Sequence, residues 1–361
     1  MFYYLHYLAD ASIIFNLFRY ITFRAMAASI TAFLFCVLVG PRIIVWLKKL
    51  KATAHQEREH AASIHQFFTH KKDVPTMGGV ILVGGTLLSI LLWANLANRF
   101  VWLLFIVGIW FGAVGFLDDW LKLRSKSSKG LASRAKLIGQ VLMGLAIGLY
   151  LYMDPGFDKW LYLPFLKKGA IYLSITFIPF VILVLVGSSN ALNLTDGLDG
   201  LAIGCTLFTT VTFAIIAYLV GRVDFAAYLG VTHVPEAGEV AVVCSALVGA
   251  SAGFLWFNSY PAEVMMGDTG SLSLGGMLGA IAVLLKKEAV LVIVGGVFVW
   301  EALSVILQVA SFKMTGRRIF RMSPYHHHLQ LMGWPESKVT IRLWIIAMIL
   351  AVIGLCTLKV M

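Results

Sequence analysis

Asn193-Leu194-Thr195-Asp196-Gly197-Leu198-Asp199-Gly200 runs straight into residues 201–220, a stretch from Leu201 to Val220 without a single charged side chain. At about 1.5 Å of rise per helical residue, twenty apolar residues span the roughly 30 Å hydrocarbon core of a bilayer. A turn of Asp, Asn and Gly set against such a run reads as a surface loop feeding a transmembrane helix.

Runs of the same kind recur in both directions. They lie near 24–46, 76–97, 100–118, 134–152, 170–188, 200–220, 240–257, 268–285, 289–310 and 340–359, ten spans in all. Only 13% of the 361 residues are charged, about half the share in a soluble domain. The expected fold class is therefore all-α: a polytopic integral membrane protein forming a single membrane domain over 1–361. Residues 1–23 are aromatic but are broken by His6, Asp10 and Asn16, and are expected as an interfacial helix rather than an eleventh span. No basic segment and small-residue cleavage site mark a removable signal. Cys36, Cys205, Cys244 and Cys356 fall inside apolar runs without metal-ligand spacing, as small buried hydrophobes do.

The net charge of +11 does not point to nucleic acid. In a membrane protein, basic loops report topology and attraction to anionic lipid or substrate phosphates. Most of the Lys and Arg fall in 42–75, 119–136 and 311–339, including Lys48, Lys49, Lys122, Arg124, Arg317, Arg318 and Arg321. With ten spans these segments share one side with the 189–199 and 258–267 loops, and their charge makes that side cytoplasmic.

The same side holds every unusual cluster. The third span ends at Asp118-Asp119, where two carboxylates oppose the helix dipole. A divalent cation or neighbouring lysines would offset that cost, and a solvated helix end is the plain alternative. The turn at 190–200 adds Asp196 and Asp199, and the eighth span opens with Met266-Gly267-Asp268-Thr269-Gly270-Ser271, a helix start that offers amide groups to an anion. Helices two, six and eight all begin here, beside Pro75-Thr76-Met77-Gly78-Gly79. Carboxylates for a metal, cationic side chains and helix N-termini are the means of phosphoryl transfer. Nucleophile-elbow, Walker A and His-Glu-x-x-His patterns are absent from the sequence.

Tyr325-His326-His327-His328 follows three arginines. Three consecutive histidines cannot all face one point, and hard cations prefer oxygen, so the histidines are expected on phosphate or sugar rather than metal, or simply in a polar loop. His55, His60, His65 and His70 match no regular period and carry no metal claim. Glu301 lies alone inside the ninth span, either functional or a packing partner, and Pro179 marks an expected kink in the fifth.

Five blocks in order, Pro75–Gly79, Phe116–Asp119, Asn193–Leu201, Met266–Leu272 and the triple histidine, resemble the polyprenyl-phosphate N-acetylhexosamine-1-phosphate transferases. Thr315–Phe320 leading to Pro324–His328 and Gly333-Trp334 is similar to the peptidoglycan branch of that family. Met265 stands where an aromatic is common, a departure that bears on packing against the nucleobase. The resemblance implies an enzyme of the bacterial inner membrane with its active site on the cytoplasmic side. Its substrates would be UDP-N-acetylmuramoyl-pentapeptide and undecaprenyl phosphate, its products lipid I and UMP, and its cofactor magnesium (Mg2+). Asp268 would be the principal metal ligand, with Asp118 and Asp119 beside it and Asp118 orienting or deprotonating the lipid phosphate. Lys136, Asn193, Asp196 and Asn258 would hold the diphosphate and metal shell, and Gly197, Leu198 and Asp199 the uridine, with Lys71 and Thr76 at the same pocket. His326, His327 and His328 would face the sugar and peptide.

Direct in-line attack by the lipid phosphate is preferred over a covalent aspartyl intermediate, because the acceptor is already an adequate nucleophile. A homodimer is left open. Three other readings compete: a sister transferase that uses UDP-GlcNAc, a secondary transporter, and a non-enzymatic scaffold. Transporters place ion sites at the midplane and carry inverted repeats, whereas these acidic residues sit at span ends.

Overall fold

The computed structural model describes residues 1–10, 12–50, 74–125, 130–165 and 169–359. Within them the chain is a helical bundle: α1 (Ile21–Lys49), α2 (Gly79–Trp93), α3 (Arg99–Ser125), α4 (Ser133–Met153), α5 (Phe177–Thr195), α6 (Leu201–Val220), α7 (Val223–Leu229), α8 (Ala237–Asn258), α9 (Gly267–Leu284), α10 (Glu288–Val294), α11 (Gly296–Thr315), α12 (Tyr325–Leu331) and α13 (Glu336–Cys356). Two strands, β1 (Trp160–Tyr162) and β2 (Ala170–Tyr172), pair antiparallel between α4 and α5.

Every apolar run carries a helix. Among the described residues, nine helices have the length and composition to cross a membrane. The tenth run gives α2, of only 15 residues. It is short because the chain ahead of it stays extended and pairs with the segment before α9. Met265 N donates to Pro75 O at 2.8 Å, and the Gly78 and Gly79 amides donate to Met265 O and Met266 O at 2.9 and 2.8 Å.

Four elements differ from the expected spans. Helix α3 continues to Ser125, so Asp118 and Asp119 lie inside its last two turns and not at its end. The ninth span is broken at Gly295-Gly296, where paired glycines release the helix. Its two halves take different neighbours, α10 against α13 and α11 against α5. The fifth span starts at Phe177 and runs to Thr195, so Asn190 and Asn193 belong to the helix and not to the turn after it, and Pro179 falls in its first turn, where its missing N–H costs no hydrogen bond. Residues 1–20 form two short 3-10 helices, Phe2–Leu8 and Ile13–Arg19, rather than one α-helix.

Helix α9 is the most enclosed of the long helices, packed against α2, α3 and α5. Its small residues allow this. A Cβ at Gly275 would stand 2.6 Å from Ser188 O, so α5 and α9 meet backbone to backbone, as membrane helices do when apolar burial gives them no reason to associate. Helices such as α1 turn Ile30, Leu34 and Leu38 outward, as lipid-facing surfaces require. At one end of the bundle Arg24 pairs with Glu239 at 2.6 Å, and Arg99 pairs with Glu236 at 2.7 Å and with Asp154. The clusters singled out in the sequence gather at the other end.

Candidate active site

The site begins as a close crossing of α3 and the start of α9. A Cβ on Gly115 would lie 2.1 Å from Asp268 O, and one on Gly79 would lie 2.1 Å from Gly270 N. Gly267 has φ of +72°, a left-handed turn that favours glycine. A side chain there would also collide with Asp119 Oδ2 and Thr76 Oγ1, at 2.8 and 2.9 Å. One turn beyond Gly115, Asp118 and Asp119 are thereby set against the N-terminus of α9, with Thr76 alongside.

The three carboxylates have different neighbours. Asp119 accepts from Asp268 N at 3.2 Å, Thr269 N at 2.9 Å and Thr269 Oγ1 at 2.7 Å, so it caps α9 from a different helix. Asp118 accepts from Leu131 N at 2.8 Å and forms an ion pair with Lys122. Asp268 receives Lys122 Nζ at 3.1 Å, Lys136 Nζ at 2.7 Å and, on its other oxygen, Asn193 Nδ2 at 2.8 Å. One oxygen from each of Asp118, Asp119 and Asp268 can be chosen so that all lie within 4.8 Å of one another. An all-oxygen set is the chemistry magnesium takes, and three carboxylates against two ammonium groups leave negative charge for a cation to neutralise. Asp119 and Asp268 each accept three hydrogen bonds, whereas Asp118 accepts one beside its ion pair with Lys122.

The last turn of α5 docks on this cluster through Asn193, which also donates to Ser271 Oγ at 2.8 Å. Beyond it the chain turns inward. Asp196 and Gly197 are half-buried, whereas Leu198 and Asp199 are buried. Asp199 accepts from Ala262 N at 3.0 Å and gives its own N–H to Glu336 Oε1 at 2.8 Å. Asn258 is also buried; it accepts from Gly200 N at 3.1 Å and donates to Val264 O at 2.8 Å. Asp199 and Asn258 thus brace the turn against the loop that leads into α9.

The histidines go to three destinations. His326 meets Glu301, His327 shares a 2.9 Å hydrogen bond with Gln330, and His328 accepts from Arg321 N at 3.1 Å while packing on Phe320 and Tyr325. His326 closes on the turn, because a Cβ at Gly197 would lie 2.2 Å from His326 Nε2. Lys71 and the histidines at 55, 60, 65 and 70 lie outside the described residues.

Sequence reasoning counted Lys122 only as loop charge. Its position three and four residues after Asp119 and Asp118 places all three on one helical face, and that signal was readable. Glu336 gave no signal, because its partner is a backbone amide 137 residues away.

An apolar groove of about 620 Å³ lies between α5 and the broken span. Val184, Gly187 and Leu192 of α5 face Leu291, Phe298 and Leu303 across it. Its lining includes Ala191 and Leu192, the two residues before Asn193, and Gly295 at the break.

Residues 101–286 match the family described as Glycosyl transferase family 4, a region that holds all three carboxylates and both lysines but not the histidine loop. Relatives of full length supply the remainder. The chain is 51% identical to a phospho-N-acetylmuramoyl-pentapeptide-transferase of Thermodesulfovibrio yellowstonii over 95% of each chain. It is 50% identical to proteins of the same name from Citrifermentans bemidjiense and Pelobacter propionicus over 99% of each. With half of the residues identical over nearly the whole length of each, this chain belongs to the phospho-N-acetylmuramoyl-pentapeptide-transferase family, a multi-pass membrane branch of glycosyl transferase family 4.

Proposed function

We propose that the protein transfers phospho-N-acetylmuramoyl-pentapeptide from its UDP-linked form to undecaprenyl phosphate, giving lipid I and UMP. The observation that carries this reading is Asp268, held by Lys122, Lys136 and Asn193 beside Asp118 and Asp119. One substrate of this reaction is a nucleotide diphosphate and the other a phosphate on a long hydrocarbon. A charged cluster in a bundle that also carries an apolar groove along α5 suits that pair.

In the proposed step a non-bridging oxygen of the acceptor phosphate attacks the β-phosphorus of the donor. The bond from that phosphorus to the bridging oxygen breaks, and UMP leaves with the electron pair. Magnesium bound by Asp268 and Asp118 would supply charge neutralisation between the two anions. Lys136 and Lys122 would place positive charge along the diphosphate, while Asn193, itself held by Ser271 Oγ, fixes the Asp268 carboxylate. Asp118, aimed by Leu131 N, would orient the acceptor phosphate. Asp119, with three donors from α9, serves to seat Asp268. Asp196 and the backbone of Gly197 and Leu198 would meet the uridine end, where the family resemblance also assigns Thr76 and Lys71, and the prenyl chain would lie along α5 and α11.

The cytoplasmic placement of the site follows from its company. Lys122, Arg124, Arg317, Arg318 and Arg321 flank the cluster end of α3 and the histidine loop, the pattern of an inner-membrane protein read by the positive-inside rule. A single membrane domain also follows, because the site draws on residues from α3 to α13.

The test uses purified protein with magnesium and undecaprenyl phosphate, given UDP-N-acetylmuramoyl-pentapeptide or UDP-GlcNAc. UMP release with the first donor only is expected. Release with UDP-GlcNAc alone would assign the sister reaction instead.

A further inference from the structure

Glu301 is fully buried on α11, among apolar neighbours. Its carboxylate accepts from His326 N at 3.2 and 3.3 Å and meets His326 Nδ1 at 3.1 Å. One side chain therefore fixes both the backbone of α12 at its first turn and the ring of its second residue. A carboxylate only accepts, so Nδ1 carries the proton.

The other ring nitrogen is unusual. His326 is 0% exposed, and its Nε2 has no hydrogen-bond partner among the described residues. That atom presses on Gly197, where any side chain would displace it. A buried polar atom without a partner carries a desolvation cost, and here it is aimed at the Asp196-Gly197 turn. The arrangement is that of a carboxylate that orients an imidazole while the far nitrogen faces a ligand.

We propose that Glu301 is a positioning residue that locks the His326 ring through Nδ1, so that Nε2 faces a polar atom of the uridine nucleotide at the Asp196-Gly197 turn. The inference rests on the transferase reading for the identity of the nucleotide. The shared chemistry is a polar atom within hydrogen-bond reach of an imidazole nitrogen, which either the base or the phosphate of UMP offers. Glu301 touches no substrate and acts through His326.

Two variants separate this role from a structural one. Glu301→Gln keeps an acceptor for His326 N but removes the negative charge at Nδ1. His326→Asn keeps a donor toward Glu301 and removes Nε2. Calorimetric titration of the full chain with UMP is expected to show about tenfold weaker binding in each, the loss of one hydrogen bond. The double variant should lose little more, because both changes act through one atom. Uridine binding should weaken equally if the polar atom is on the base and stay unchanged if it is on the phosphate.

The KM for the nucleotide sugar should rise by a similar factor, with that for prenyl phosphate within about twofold. Helix α11 also lines the groove through Ala302 and Leu303, so a merely structural Glu301 would disturb both KM values together. Wild-type affinity for UMP in His326→Asn would overturn the inference, as would equal losses for both substrates in Glu301→Gln. Wild-type protein that binds no UMP would overturn the transferase reading along with it, whereas wild-type binding with unaffected variants would overturn this inference alone.

Discussion

Replacing Gly115 with alanine tests whether the carboxylate cluster depends on the α3–α9 crossing. The added Cβ would stand 2.1 Å from Asp268 O, 2.4 Å from Asp268 C and 2.6 Å from Thr269 N, all backbone atoms that no rotamer change can move aside. Ordinary contact begins near 3.4 Å, so the helices must part locally by at least 1.3 Å, the difference between 3.4 and 2.1. Asp118 and Asp119 ride on one helix and Asp268 on the other, so the displacement passes directly into a cluster whose oxygens lie within 4.8 Å. A misplacement of about 1 Å in reacting geometry costs about 100-fold in rate, and overpacking costs about 1–3 kcal/mol of stability. UMP release by Gly115→Ala should therefore fall at least 100-fold while the protein still purifies as a folded species. Gly112→Ala is the control. One turn earlier on the same helix, its Cβ would meet only Val83 and Ser273 side chains at 3.6 Å and beyond, and activity should stay within about twofold. Wild-type turnover in Gly115→Ala, or equal losses in both variants, would refute the claim that this contact sets the site.

Asp268→Asn should abolish UMP release, by about 1,000-fold or more, with thermal stability retained; chelation of divalent ions should do the same to the wild type, and added magnesium should restore it. Near-normal release from the variant would remove Asp268 from the metal role. Asn258→Ala should act on the fold, because it leaves Gly200 N and Val264 O buried without partners; about 1–3 kcal/mol of stability should be lost, read by denaturation in detergent, with little change in the KM of the nucleotide sugar. A raised KM at unchanged stability would make Asn258 a substrate contact instead. Gly187→Phe fills a point on the groove wall where a Cβ meets nothing within 4 Å. It should raise the KM for prenyl phosphate several-fold and leave that for the nucleotide alone, and an unchanged KM would move the acceptor chain elsewhere.

The spans were legible because a bilayer demands long uncharged runs, and α6 could be read almost to the residue. The reading failed where charge was taken as a boundary. Asp118 and Asp119 were placed at the end of α3, yet the helix runs on to Ser125, because the start of α9 satisfies Asp119 while Lys122 and Leu131 N satisfy Asp118. The break at Gly295-Gly296 was written in the sequence as paired glycines but hidden by unbroken hydropathy. Within the site, Asp118, Asp119, Asp268 and Asn193 stood out as polar groups at the ends of apolar runs. Asp199 and Asn258 stood out equally but engage backbone atoms, and only tertiary structure distinguishes a brace from a ligand contact. Glu301 was ambiguous in sequence because its histidine partner is 25 residues away and on another helix.

The backbone seam where Gly79, Gly115, Gly267 and Gly270 meet has an evolutionary consequence. Pockets walled by side chains can be reshaped one codon at a time, so a lineage under pressure from a toxin can trade a leucine for a phenylalanine and survive. Here the main chains touch and leave no room for even a methyl group. An antibiotic that leaned on this seam would meet a surface that point mutation can ruin but not redraw, and resistance would have to arise at the rim.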